Sequence, residues 1–142
     1  MKIVLHAFYF ALSYFTSIPV WLKDMQITNE TYKYTLAFLP LLGAILAAIV
    51  IGINLILIDI FNPLYACFIS AVIYLFLYGF LHLEAVCDVV DASFAAHGGK
   101  DAYSIMKEPT IGAIGAMYAF SLALLKVAAI TYLLYEEEYI LF

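Results

Sequence analysis

Residues 36–58 read LAFLPLLGAILAAIVIGINLILI, and no lysine, carboxylate or histidine interrupts the run from Leu36 to Ile58. At about 1.5 Å of rise per residue these 23 residues make a helix of about 35 Å, enough to cross a hydrocarbon core of about 30 Å. The chain is therefore predicted to be an integral membrane protein. Its composition agrees: of 142 residues 67% are apolar, 17% aromatic and only 12% charged, and the mean hydropathy is +1.04, far from a soluble domain. The length suits one all-α, polytopic bundle, a single integral-membrane domain over residues 1–142. A net charge of −5, lysines as the only fixed cations and no arginine leave no basic stripe for nucleic acid. Cys67 in an apolar run and Cys87 among acids form neither a CxxC pair nor a disulfide framework.

Working outward from this span, the reading is of about four membrane segments, near 3–22, 36–58, 64–83 and 111–135. The first lacks a cleavage signal of the A-x-A kind, so it is kept as a membrane segment. Its second half carries Ser13, Thr16, Ser17 and Pro19 and is expected to tilt or enter partway. Lys23 to Lys33 reads as a loop ending in a helix cap at Thr28 or Asn29. Asp59 and Asn62-Pro63 mark a turn before the third segment. If all four segments cross, the stretches 23–35 and 84–110 share one side with Lys23, Lys33, Lys100 and Lys107, against Lys2 opposite. The positive-inside rule then places the acidic stretch 84–110 in the cytoplasm.

That stretch and its edge hold His82, Glu84, Asp88, Asp91, His97, Lys100, Asp101, Lys107 and Glu108, nearly half of the chain's lysines, carboxylates and histidines. If the third helix runs on past the membrane boundary, Glu84, Asp88 and Asp91 stand at i, i+4 and i+7 and line one face. Near a helix C-terminus such acids oppose the macrodipole, and Gly98-Gly99 reads as the helix stop. Their repulsion calls for a counter-charge. Oxygen ligands suit Mg²⁺ or Mn²⁺, and Mg²⁺ commonly takes one or two carboxylates plus water and substrate phosphate. Zinc fits less well, since no cysteine or second histidine stands at ligand spacing. The bland reading is a solvated helix end at the membrane surface; the interleaved Val86, Val89 and Val90 favour the metal.

Further on, Gly98-Gly99-Lys100-Asp101 is too short for a phosphate loop of the GxxxxGK[ST] kind. Asp101 to Lys107 is predicted as a short amphipathic helix with Ala102, Ile105 and Met106 inward, stopped by Pro109. Gly112 and Gly115, three apart at the entry of the last segment, permit close helix packing or leave backbone N–H groups open to an anion. Lys126 lies at membrane depth, where a cation is costly unless it faces the bundle.

Taken in order, Phe15-Thr16-Ser17-Ile18-Pro19-Val20, Phe38-Leu39-Pro40-Leu41-Leu42-Gly43, His82-Leu83-Glu84-Ala85-Val86-Cys87-Asp88-Val89-Val90-Asp91-Ala92, Ile105-Met106-Lys107-Glu108-Pro109-Thr110-Ile111-Gly112-Ala113-Ile114-Gly115 and Leu124-Leu125-Lys126 resemble the cobalamin synthase family, adenosylcobinamide-GDP ribazoletransferase. The family's central pattern is close to HLDGLADTADG followed by an IMKDSRIGxFG-like segment. The resemblance implies an Mg²⁺-dependent transferase of the cytoplasmic (inner) membrane, joining adenosylcobinamide-GDP to α-ribazole or its 5′-phosphate with release of GMP. It implies that Glu84, Asp88 and Asp91 hold the metal, that His82 and Lys107 act on the reacting groups, and that Glu108, Gly112, Gly115 and Lys126 meet substrate. Glu84 stands for the family's first Asp, Ala85 and Ala92 for glycines, Glu108 for Asp and Pro109-Thr110 for Ser-Arg, which removes a phosphate clamp. The family runs on with more membrane helices, so the chain resembles its N-terminal part: a truncated or diverged member, or half of a site completed by a homo-oligomer or a second chain. Two other classes fit the residues: an inactive membrane scaffold of the same family, and a small cation channel or carrier lined by Lys126 and the acidic helix.

Overall fold

The computed structural model describes residues 2–20, 27–99, 101–107 and 110–137. Every regular element among them is a helix: α1 (Lys2–Phe15), α2 (Asn29–Ala37), α3 (Leu39–Leu57), α4 (Pro63–Tyr78), α5 (Leu83–His97), α6 (Ala102–Ile105) and α7 (Ala113–Tyr135). The chain is all-α, and it forms two compact units, Met1–Gly79 with Ile130–Phe142 and Phe80–Ala129.

In the first unit α1 stops at Phe15, ahead of the polar Thr16-Ser17-Ile18-Pro19. The Thr16 hydroxyl bonds back to the Leu12 carbonyl and accepts the Ile18 N–H at 3.2 Å, and Pro19 removes the next donor that a helix would need. The end of the expected first segment, Trp21 and Leu22, lies outside the described residues together with Lys23. Thr28 caps α2 through a reciprocal box with Thr31, whose hydroxyl accepts the Thr28 N–H at 3.2 Å while Thr28 accepts the Thr31 N–H at 3.3 Å.

The long apolar run is divided. Its first residues finish α2, Phe38 joins the helices, and Pro40 opens α3, where a missing N–H costs nothing. α3 then presents Leu42, Leu46, Val50 and Asn54 at intervals of four as one buried face. α4 meets it with Ala66, Cys67, Ser70, Ala71 and Leu75, small residues that let two backbones approach. Between them the Ser70 hydroxyl lies 3.2 Å from Asn54 Oδ1 and 2.9 Å from the Ala66 carbonyl, so both buried polar side chains are satisfied. Asn62 caps α4 by accepting the Leu64 N–H at 3.1 Å, with Pro63 in the first turn.

The segment expected over 64–83 ends early. Gly79 closes α4 in the left-handed conformation at φ +72°, and Phe80 and His82 are also at positive φ, +53° and +72°. A helix cannot run through such residues. The Ser17 N–H donates to the Leu77 carbonyl at 2.8 Å, fastening the exit of α1 to the end of α4.

The second unit holds α5, α6 and most of α7. Gly98 and Gly99, the latter at φ +80°, end α5 as the sequence predicts. Asp101 caps α6 by accepting the Ser104 N–H at 3.0 Å. Two helices, α3 and α7, are long and apolar enough to cross a membrane, and α4 with α5 would make a third if a broken pair is counted as one span. The count is thus two to three where about four segments were expected. α1 and α4, with 14 and 16 residues, rise only about 21 and 24 Å.

Candidate active site

The break at residues 79–82 changes the meaning of the acidic face. Glu84, Asp88 and Asp91 do not trail from the C-terminus of the third segment; they occupy a new helix, with Glu84 in its first turn. There the macrodipole favours a carboxylate instead of opposing it. The expectation of acids held against a helix dipole is corrected by the positive φ angles, which restart the helix at Leu83. His82 sits at the N-cap of α5, exposed, and gives the helix no side-chain cap.

Asp91 also meets a helix N-terminus, that of α7. Its Oδ2 accepts the Gly112 N–H at 2.7 Å and its Oδ1 the Gly115 N–H at 2.9 Å. Gly112 is the N-cap of α7, since its carbonyl accepts the Ala116 N–H at 3.0 Å. The two amides are those a capping box satisfies, at the cap and three residues on. With glycine at both positions α7 has no side chain to do this, and one carboxylate from α5 serves both. The approach is close: a Cβ on Gly115 would stand 2.5 Å from Asp91 Oδ2 and 2.6 Å from the Cys87 carbonyl oxygen, and one on Gly112 would meet Asp91 Oδ1, with Asp91 Cγ at 2.6 Å. Phe94 and Tyr118 extend the same contact, edge to face at 6.1 Å.

Of the residues singled out from the sequence, the structure therefore joins Asp91, Gly112 and Gly115. Glu84 is exposed and Asp88 half-buried one turn further along α5, and neither side chain has a partner among the described residues. No group of three histidine, cysteine, aspartate or glutamate side chains able to hold a metal is found among the described residues. Lys107 is exposed in the connection between α5 and α7, its Nζ 4.2 Å from the centre of the Tyr103 ring. Lys126 is half-buried on α7, 11 residues beyond Gly115 and so about 16 Å along the axis. Glu108 lies outside the described residues. His97, at the end of α5, contacts its own helix, Nδ1 being 2.7 Å from the Ser93 carbonyl.

Sequence reasoning found the members of the Asp91 clasp and missed the clasp itself. A signal was present: a long helix that begins with glycine at both capping positions must draw its acceptor from elsewhere. The break at Gly79-Phe80 was missed because the apolar residues around it hide the one glycine that carries it.

The chain can then be compared with known proteins. The cobalamin-5-phosphate synthase family matches residues 7–142. An adenosylcobinamide-GDP ribazoletransferase of Acinetobacter baumannii (strain ACICU) is 33% identical over 136 residues, 95% of this chain and 54% of that protein. One from Treponema denticola is 35% identical over 113 residues, 78% and 42% of the two chains, and one from Brevibacillus brevis 27% identical over 127, 89% and 50%. The chain spans about half the length of these curated relatives. No solved structure matches it.

Proposed function

The chain belongs to the cobalamin-5-phosphate synthase family, and from that premise we propose that it serves the transfer its relatives are named for. In that reaction a ribose hydroxyl of α-ribazole, or of its 5′-phosphate, attacks the cobinamide-linked phosphorus of adenosylcobinamide-GDP. The phosphoanhydride P–O bond breaks, a phosphodiester forms and GMP leaves with the bond's electron pair. The observation that carries the proposal is the clasp, because it draws together two segments, 82–92 and 105–115, that hold the family's motif residues.

Glu84 and Asp88 fit a divalent cation by the chemistry of the donor set. They are hard oxygen ligands one turn apart, without partners among the described residues, and two carboxylates are what Mg²⁺ or Mn²⁺ commonly takes from protein beside phosphate and water. Bound there, the ion would neutralise pyrophosphate charge. Asp91 belongs to the same face, although both its oxygens already receive α7 amides. His82, two residues from Glu84, would orient the hydroxyl and take its proton; Lys107 would balance phosphate charge from the connection. Glu108, Gly112, Gly115 and Lys126 would lie toward substrate. The two glycines do so through backbone alone.

The acidic segment would face the cytoplasm from the cytoplasmic membrane, and a homo-oligomer or a second chain would complete the substrate site. The test is GMP release by the purified protein in lipid, given adenosylcobinamide-GDP and α-ribazole, with Mg²⁺ or with EDTA. Release that EDTA stops and Asp88→Ala abolishes is expected. A folded wild-type protein that releases none would make the chain a scaffold of the family, and Asp88→Ala with unchanged turnover would remove Asp88 from the site.

A further inference from the structure

We propose that Asp91 is a positioning residue: its carboxylate is committed to the backbone of α7 and fixes the connection that carries Lys107, leaving Glu84 and Asp88 as the cation pair of the proposed site. The last clause rests on the transferase reading; the clasp does not.

Both carboxylate oxygens are engaged, at 2.7 and 2.9 Å, by amides that no other side chain among the described residues caps. The bonds reach over 21 and 24 positions, so they close the whole connection from the end of α5 to the start of α7, α6 and Lys107 included. Swinging the carboxylate toward a cation would strip two orphan donors of a helix start at once. Leaving it in place fixes the plane of the carboxylate by α7, whereas Mg²⁺ demands its own near-octahedral geometry. The glycines follow from the same geometry. At Gly112 the three atoms nearest to an added Cβ all belong to the Asp91 side chain, whereas at Gly115 it would also meet the Cys87 backbone carbonyl at 2.6 Å.

This difference supplies the test, a double-variant cycle on the full chain in lipid, read by unfolding midpoint and by GMP release as a function of Mg²⁺. Gly112→Ala should lower the midpoint when Asp91 is present and cost much less beside Asp91→Ala, which removes the three atoms nearest to the added methyl. Gly115→Ala should remain harmful beside Asp91→Ala, since the Cys87 carbonyl is still there. Asp91→Ala should lose roughly a hundredfold in turnover through misplacement with the half-saturating Mg²⁺ unchanged, whereas Asp88→Asn should raise it. Additive midpoints for Gly112→Ala and Asp91→Ala, or recovery of Asp91→Ala at high Mg²⁺, would overturn the proposal. If Asp91→Ala does not fold, Asp91→Asn, which keeps one acceptor oxygen, takes its place and should relieve none of the Gly112→Ala cost. If the wild type releases no GMP, the transferase reading falls while the midpoints still decide the clasp.

Discussion

At the scale of single residues, the candidate site combines strain with committed charge. His82 holds φ +72° without a glycine's freedom and without capping α5. A left-handed non-glycine residue costs about 1 kcal/mol or more, and such residues persist where position matters more than stability. Replacing His82 by glycine relieves that strain and removes the imidazole. His82→Gly is therefore expected to hold or raise the unfolding midpoint of the wild type while lowering the proposed GMP release by a hundredfold or so, the usual worth of a general base. A fall in midpoint with full activity would assign His82 to structure alone. Asp91 shows the complementary case. From spacing it is the third of three equivalent acids, and only its hydrogen bonds separate it from Glu84 and Asp88.

Among the elements, helix ends organise the chain more than helix faces do. Thr28, Asn62, Asp101 and Asp91 each supply a side-chain oxygen to a helix start, and three of these are local enough to read from sequence. The break after α4 belongs here too. Gly79 takes φ +72°, and a Cβ on it would lie 3.1 Å from Ser17 Oγ, beside the bond from Ser17 N–H to the Leu77 carbonyl. Gly79→Ala is expected to destabilise the protein by about 1–2 kcal/mol, seen as a lower midpoint in detergent. An unchanged midpoint would mean that the break does not depend on this residue. The Asn54 and Ser70 pair shows why an apolar span tolerates polar residues: each is almost wholly buried, the two meet between the helices, and the Ser70 hydroxyl also has the Ala66 carbonyl of its own helix.

For the whole molecule the question is sidedness. The lysine distribution puts the stretch 84–110 in the cytoplasm on the premise of four crossings, whereas the helices long enough to cross number two, or three with the broken pair. In a chain whose two free cysteines, Cys67 and Cys87, are replaced by serine, an impermeant thiol reagent applied from the cytoplasmic side should label Ser104→Cys and spare Asp59→Cys. The reverse pattern would invert the orientation, and labelling of both would mean an even number of crossings between them. Composition and the run from Leu36 to Ile58 are enough to determine a helical membrane protein, because hydrocarbon leaves the backbone no partner but itself. The cap at Thr28, the turn at Asn62-Pro63, the stop at Gly98-Gly99 and the family's motif residues are equally legible, since each depends on neighbours in the chain. Tertiary structure alone decided that α4 stops at Tyr78, that Glu84 stands in the first turn of a new helix instead of trailing from the old one, and that Asp91 serves Gly112 and Gly115. The physical reason is that the last contact links residues more than 20 positions apart. Periodicity records which face a residue shares, and not which distant backbone amide has been left without an acceptor.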